Sequence, residues 1–298
     1  MKREVNLVLS SGGARGVAHI GVIEGLLEEG FVIKSIAGSS MGAVIGGVYA
    51  AGKLPEYKEW ICNLDKIDVF KLMDFTLSTQ GFVRGERVFN EMKSFIPECN
   101  IEDLNIPFKA VATDVLNKKE VVFDRGPLYT ALRASASIPS VLKPAVVNGV
   151  ELVDGGVINP IPIQHVTPCE KALVVVSDVN ADAPCYLEAP TAKEKGRFAP
   201  LIEKWNSLFP KGDNKKVETK LKNLSYFDLI VKSVDLMQDQ ISTLTIQQAK
   251  PDILVAISRE TCGTFEFYRS TELINYGKNE FKKALKTYGL QKLESTNR

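Results

Sequence analysis

Short unbroken apolar runs alternate along this chain with segments whose apolar residues recur every three or four positions, the pattern of buried strands alternating with helices. Val5 to Ser10 is such a run; it ends at Gly12 and Gly13, which predicts a strand feeding a tight turn. Val17, Ile20, Ile23, Leu26 and Leu27 then keep helical spacing until Gly30 stops them. Ile33 to Gly38 predicts a second strand, and Met41 to Ala51 a small-residue helix whose Gly42, Gly46 and Gly47 let it lie close to a neighbouring backbone. Glycine lowers helix propensity, so tertiary packing has to stabilise that helix. The opening third reads as β-α-β-α.

Strands are predicted again at Phe108 to Thr113 and Glu120 to Phe123, with a helix near Leu128 to Ser135. Ala145 to Val147 and Val150 to Val153 flank Asn148-Gly149, a dipeptide suited to the positive φ angles of a two-residue hairpin turn, and Asp154 stands just past it. Ala172 to Ser177 and Ile253 to Ile257 complete the expected sheet, and Leu224, Phe227, Val231, Val234, Ile241 and Leu244 mark a long amphipathic helix ending before Pro251. This alternation predicts a three-layer α/β domain, read as a single domain over 1–298. Between Asp182 and Asn223 the composition turns to Pro, Lys, Glu and Asn, the mark of a lid or mobile insertion. Within it, Leu201, Ile202, Trp205, Leu208 and Phe209 precede a run of lysines, so the segment suits either a membrane-docking lid or a packing helix. Phe82, Val83, Val88, Phe89 and Met92 fit an acyl channel and ordinary core equally well.

Composition narrows the function classes. With 298 residues, 45% hydrophobic, the chain has material for a large core, and a net charge of +1 offers no general field for a nucleic-acid backbone. Five cysteines without CxxC spacing and two histidines make a disulfide framework or a zinc site unexpected. No apolar stretch reaches bilayer-spanning length and the first ten residues do not form a signal peptide, so the expectation is a cytoplasmic chain, with peripheral contact at the inner membrane surface left open.

Gly38-Ser39-Ser40-Met41-Gly42 fits G-x-S-x-G between a predicted strand and a predicted helix, the context a nucleophile elbow requires. Gly12-Gly13-Ala14-Arg15-Gly16 occupies a similar strand-to-helix turn, where backbone N–H groups can be aimed at an oxyanion. Arg15 either orients an anionic head group or braces the loop. A serine hydroxyl needs a base. His19 and His165 are open to that role by spacing, but Asp154-Gly155-Gly156 is the stronger candidate: a carboxylate at a strand end, followed by glycines that allow close approach. Burial beside an acyl site would raise an aspartate's pKa toward the working pH, which makes a Ser40–Asp154 dyad chemically feasible.

These blocks, together with Ala112-Thr113-Asp114, Ala134-Ser135-Ala136-Ser137-Ile138-Pro139 and Asn159-Pro160, resemble the patatin-like phospholipase family, particularly its compact bacterial members. The resemblance implies a three-layer α/β/α sandwich with a mainly parallel central sheet, a modified relative of the α/β-hydrolases. It also implies a Ser-Asp dyad that cleaves acyl esters of lipids through an acyl-enzyme, with no cofactor and no metal. Carried over residue by residue, Ser40 matches the nucleophile, Asp154 the catalytic aspartate, and Gly12, Gly13 and Ala14 the oxyanion loop, with Arg15, Gly38, Gly42, Gly155 and Gly156 supporting. Asp114 and Ser137 are given structural roles. Val141-Leu142-Lys143-Pro144 departs from the family, which often has an aromatic before that proline. The expected partners are a lipid or acyl-ester substrate and a membrane surface, not nucleic acid, with a homo-oligomer left open. Acyl transfer to an alcohol or carrier, and a low-turnover lipid-binding regulator, are the alternatives.

Overall fold

The computed structural model describes residues 3–73, 85–139, 141–167, 172–187 and 226–296, with side chains between 226 and 296 described only for 232–290. The chain divides into two compact units, 1–185 with 238–298, and 186–237. In the smaller unit the described regular structure is the opening of one long helix. Most of the 182–223 segment, including Trp205 and the lysines, and Phe82 and Val83, lies outside the described residues.

The larger unit is built on a mixed sheet of eight strands: β1 (Arg3–Leu9), β2 (Phe31–Ser39), β3 (Phe108–Asp114), β4 (Lys119–Phe123), β5 (Ala145–Val147), β6 (Val150–Asp154), β7 (Leu173–Ala181) and β8 (Ile253–Ser258). Its helices are α1 (Ala18–Glu28), α2 (Met41–Ala50), α3 (Leu54–Asn63), α4 (Lys66–Leu72), α5 (Glu86–Lys93), α6 (Leu128–Ser135), α7 (Tyr226–Ala249), which begins in the smaller unit, and α8 (Ser270–Thr296). The pairing path runs β5-β6-β3-β2-β1-β7-β8, with β4 also on β3. Pairs among β3, β2, β1, β7 and β8 are parallel; those of β4, β5 and β6 are antiparallel.

β1 sits at the middle of the parallel part and is buried on both faces, which is why it reads as a continuous apolar run. Its Val8 packs with Val176, Ile161 and Ile246 of α7 on one face. Leu9 meets α2 at Gly46 on the other. Helices therefore flank the sheet on both faces, the layering that the alternation predicts. At the expected hairpin, Asn148 and Gly149 have φ of 51° and 80°.

The arrangement around β3 decides where the chemistry sits. β4 holds one edge of β3 from Ala110 to Asp114. On the other edge β2 pairs as far as Ser39 with Val111, and β6 takes over at the next position, Asp154 with Ala112. Two strands thus meet end to end on a shared edge, bringing the residue after Ser39 beside the last residue of β6.

Apolar periodicity does not mark α3, α4, α5 or α8. α8 packs along α1, and the two backbones touch: a Cβ on Gly21 would lie 1.9 Å from the Ile274 carbonyl oxygen, and one on Gly277 2.1 Å from that of Ala18. The cysteines at 62, 99, 185 and 262 are free thiols. No helix among the described residues is long and apolar enough to cross a membrane.

Candidate active site

Ser40 occupies the step from β2 into α2, at φ 55° and ψ −124°. A positive φ is uncommon outside glycine and stores strain. The surroundings fix it from several directions. Its N–H donates to Ser135 Oγ at 2.9 Å, and Ser135 Oγ–H donates to the Val111 carbonyl at 2.6 Å, so α6 and β3 clamp the turn. Gly42 has no room for a side chain, because its Cβ would fall 2.2 Å from the Leu9 carbonyl oxygen. Gly38 faces the first turn of α2 just as tightly, with the Ala43 nitrogen 2.5 Å from a Cβ.

Asp154 is 5% exposed and is held through its own backbone: its N–H donates to Ser137 O at 2.9 Å and its carbonyl accepts from Thr113 Oγ1 at 2.9 Å. Ser137 and Asp114 keep the structural roles expected of them; Asp114 accepts from Asn117 and closes the β3–β4 turn. Asp154 Oδ2 accepts from Ser40 Oγ at 2.5 Å and Oδ1 from the Gly156 N–H at 2.7 Å. Gly155 packs against the strand edge, where a Cβ would lie 2.1 Å from Val111 O. Burial pushes the Asp154 carboxyl up from 3.8 to about 6, against the pull of the Ser40 and Gly156 hydrogen bonds, which favour the ionised form.

Neither histidine reaches this pair. His19 is buried, with Nδ1 2.8 Å from Ser177 Oγ and Nε2 3.0 Å from Ser10 O. A carbonyl can only accept, so Nε2 carries the proton and Nδ1 accepts from the serine. Burial lowers its pKa from 6.5 to about 4 and keeps it neutral. His165 Nε2 meets Glu120 Oε1 at 3.0 Å, and Asn159 Nδ2 donates to the other oxygen of the same carboxylate at 2.8 Å.

The glycine loop leaves β1 beside the elbow, since Leu9 pairs with Gly38 and Gly16 lies against Met41. Gly13 has φ 55° and contacts Thr264 closely. One of the expected donors has a partner already: the Ala14 N–H donates to Thr264 O at 2.9 Å. No partner among the described residues takes the N–H of Gly12 or Gly13. Arg15 braces the loop, donating from Nε to Asn180 Oδ1 at 3.0 Å and from Nη1 to Cys262 O. Phe89, half-buried, packs edge-on against Tyr129, and Met92 is buried in the core. Among the described residues no cluster of His, Cys, Asp or Glu could hold a metal ion.

A buried serine–aspartate pair at the junction of a glycine loop and an elbow can pass a proton between its members. A family model for patatin-like phospholipases matches residues 7–167, a span that contains all of these residues. The chain belongs to the patatin-like phospholipase family. An uncharacterized NTE family protein of Mycobacterium tuberculosis is 34% identical over 337 residues, covering 98% of this patatin-like chain and 94% of that protein. The lysophospholipase NTE1 of Pyricularia oryzae is 26% identical over 280 residues, which are 92% of this chain and 18% of the fungal protein. VipD from Legionella pneumophila, a solved structure, gives a TM-score of 0.48 at 12% identity over 96% of this chain and 67% of its own. In the patatin-like frame, Ser135 and Thr113 are the positioning residues that sequence reasoning passed over; both stand in blocks quoted for the resemblance.

Proposed function

We propose that this chain is a serine lipid acyl hydrolase in which Ser40 and Asp154 act as a dyad without histidine. The observation that carries the reading is the 2.5 Å hydrogen bond from Ser40 Oγ to Asp154 Oδ2, in a site where both imidazoles are bonded elsewhere. Membership in the patatin-like family and the lysophospholipase name of a fungal relative support a lipid ester as the substrate class. As Ser40 Oγ attacks the ester carbonyl, its proton passes to Asp154. In this reading the Gly12 and Gly13 N–H groups hold the tetrahedral oxyanion, whose collapse breaks the bond to the leaving alcohol, which takes the proton from Asp154. Water then attacks the acyl-enzyme, gives a proton to Asp154, and the fatty acid leaves as Ser40 recovers its hydrogen.

A fluorophosphonate probe should label Ser40 in the wild type, and p-nitrophenyl esters should be cleaved. Ser40→Ala and Asp154→Ala should each lower kcat by at least about 10³-fold, as loss of a member of a catalytic unit does. An unlabelled Ser40, or a variant that turns over at the wild-type rate, removes the dyad.

A further inference from the structure

We propose that the turn joining β3 to β4 is a docking tip that inserts Val115 and Leu116 into an anionic lipid surface; the inference rests on the substrate being a lipid. Leu116 is 81% exposed and Val115 53%, two adjacent large apolar side chains left in water. Single exposed apolar residues are ordinary, but a consecutive pair on a stiff protrusion at the rim of a site is not. The stiffness comes from Asp114, whose two oxygens accept from the Asn117 N–H at 3.0 Å and from Asn117 Nδ2 at 2.8 Å. Lys118 completes the turn at φ 54°. The apolar pair is therefore held outward and cannot fold back onto the sheet.

Charge selects the occupant. Lys118 and Lys119, one residue past the apolar pair, are exposed and form no ion pair among the described residues. Of the nearby carboxylates, Asp114 is buried and bonded to Asn117, and Glu120 is half-buried and bonded to Asn159 and His165, so both keep their charge below the surface that the exposed lysines present. Ile158, 37% exposed, precedes Asn159 on the same rim. An apolar tip with free ammonium groups behind it fits acyl chains below and anionic headgroups above.

Reach fits as well. Asp154 pairs with Ala112 and β3 runs on to Asp114, so at roughly 3.3 Å per residue the base of the tip stands about 7 Å beyond the Ser40–Asp154 level on the strand axis, with Val115 and Leu116 in the turn that caps it. Interfacial elements sink roughly 5–10 Å into the headgroup region. A seated tip would therefore bring the mouth of the site to the headgroups, where the ester bonds of a phospholipid lie.

The test uses the purified full chain and vesicles of phosphatidylcholine and phosphatidylglycerol in equal parts, beside vesicles of phosphatidylcholine alone. The wild type should bind the mixed vesicles more tightly. Val115→Ser with Leu116→Ser should weaken that binding roughly tenfold, and Lys118→Asn with Lys119→Gln several-fold, Asn being chosen because it tolerates positive φ. Cleavage of a soluble p-nitrophenyl ester should be unchanged in both variants. Wild-type binding by the double serine variant, or no binding by the wild type, overturns the proposal, as does a solution dimer that the serine variant makes monomeric. Tip-dependent vesicle binding without ester cleavage would reject the hydrolase reading and leave the docking surface standing, whereas ester cleavage without vesicle binding would do the reverse.

Discussion

At Asp154 the decisive quantity is its protonation. In the proposed dyad the base must be ionised to accept the Ser40 proton, and burial places this carboxyl at about 6. The expected pH profile of kcat/KM is flat above neutrality and falls on the acid side with an apparent pKa near 6, roughly tenfold per pH unit below it. A profile still flat at pH 5 would assign the proton to another group. Ser135 is the second residue whose role is measurable. Its hydroxyl accepts from the Ser40 N–H and donates to Val111, so Ser135→Ala leaves both backbone groups short of a partner in a buried place. The expected cost is about 1–3 kcal/mol of stability by chemical denaturation, together with a lower kcat and little change in KM.

At the scale of elements, the end-to-end meeting of β2 and β6 on β3 makes the glycines after Asp154 indispensable. Gly155→Ala would drive a methyl group into the Val111 carbonyl, whose oxygen lies 2.1 Å from the position of a Cβ. Urea unfolding should show a loss of about 3 kcal/mol or more, and Ser40 labelling should fall with it as β6 is levered away. The same steric logic applies to Gly277→Ala, which forces α8 off α1 and should cost about 2–3 kcal/mol while sparing the site.

Legibility in the sequence also divides by element. β1, β2 and α2 were plain because apolar runs end at glycines that the turns need. α8 was not, since Gly277 interrupts a pattern in which Leu273, Ile274, Tyr276 and Phe281 supply the buried face, and that glycine is there to meet the Ala18 carbonyl of α1. Ser40 and Asp154 were legible as candidates, from the elbow and from the glycines behind a strand end. Their meeting was not, because it depends on two strands sharing one edge of β3, which no local pattern encodes. The use of the Ala14 N–H by Thr264 was hidden for the same reason: its partner is remote in sequence.

For the whole molecule, two buried groups act on stability in opposite directions. His19 titrates at about 4 in the folded chain against 6.5, so as pH falls from 6.5 the unfolded chain takes up a proton that the folded one refuses, and stability drops. Asp154 titrates at about 6 against 3.8, so the folded chain takes up a proton first, and stability rises as pH falls through 6. Between about 4 and 6 these contributions offset each other. In Asp154→Asn the rise is removed. That variant should exceed the wild type by roughly 3 kcal/mol at neutral pH and match it near pH 4, in urea titrations across that range.

The backbone contact between α1 and α8 also governs the order of assembly during synthesis. α1 leaves the ribosome early, yet the helix that seals its glycine face is translated only after β8. Until then Gly21 and Gly25 border an open furrow. Closing so long a loop is slow, and the waiting intermediate exposes apolar surface. Nascent chains stalled before α8 should therefore be cut by protease within α1 and recruit chaperones, and both susceptibilities should vanish once Phe281 has emerged to cover Gly25.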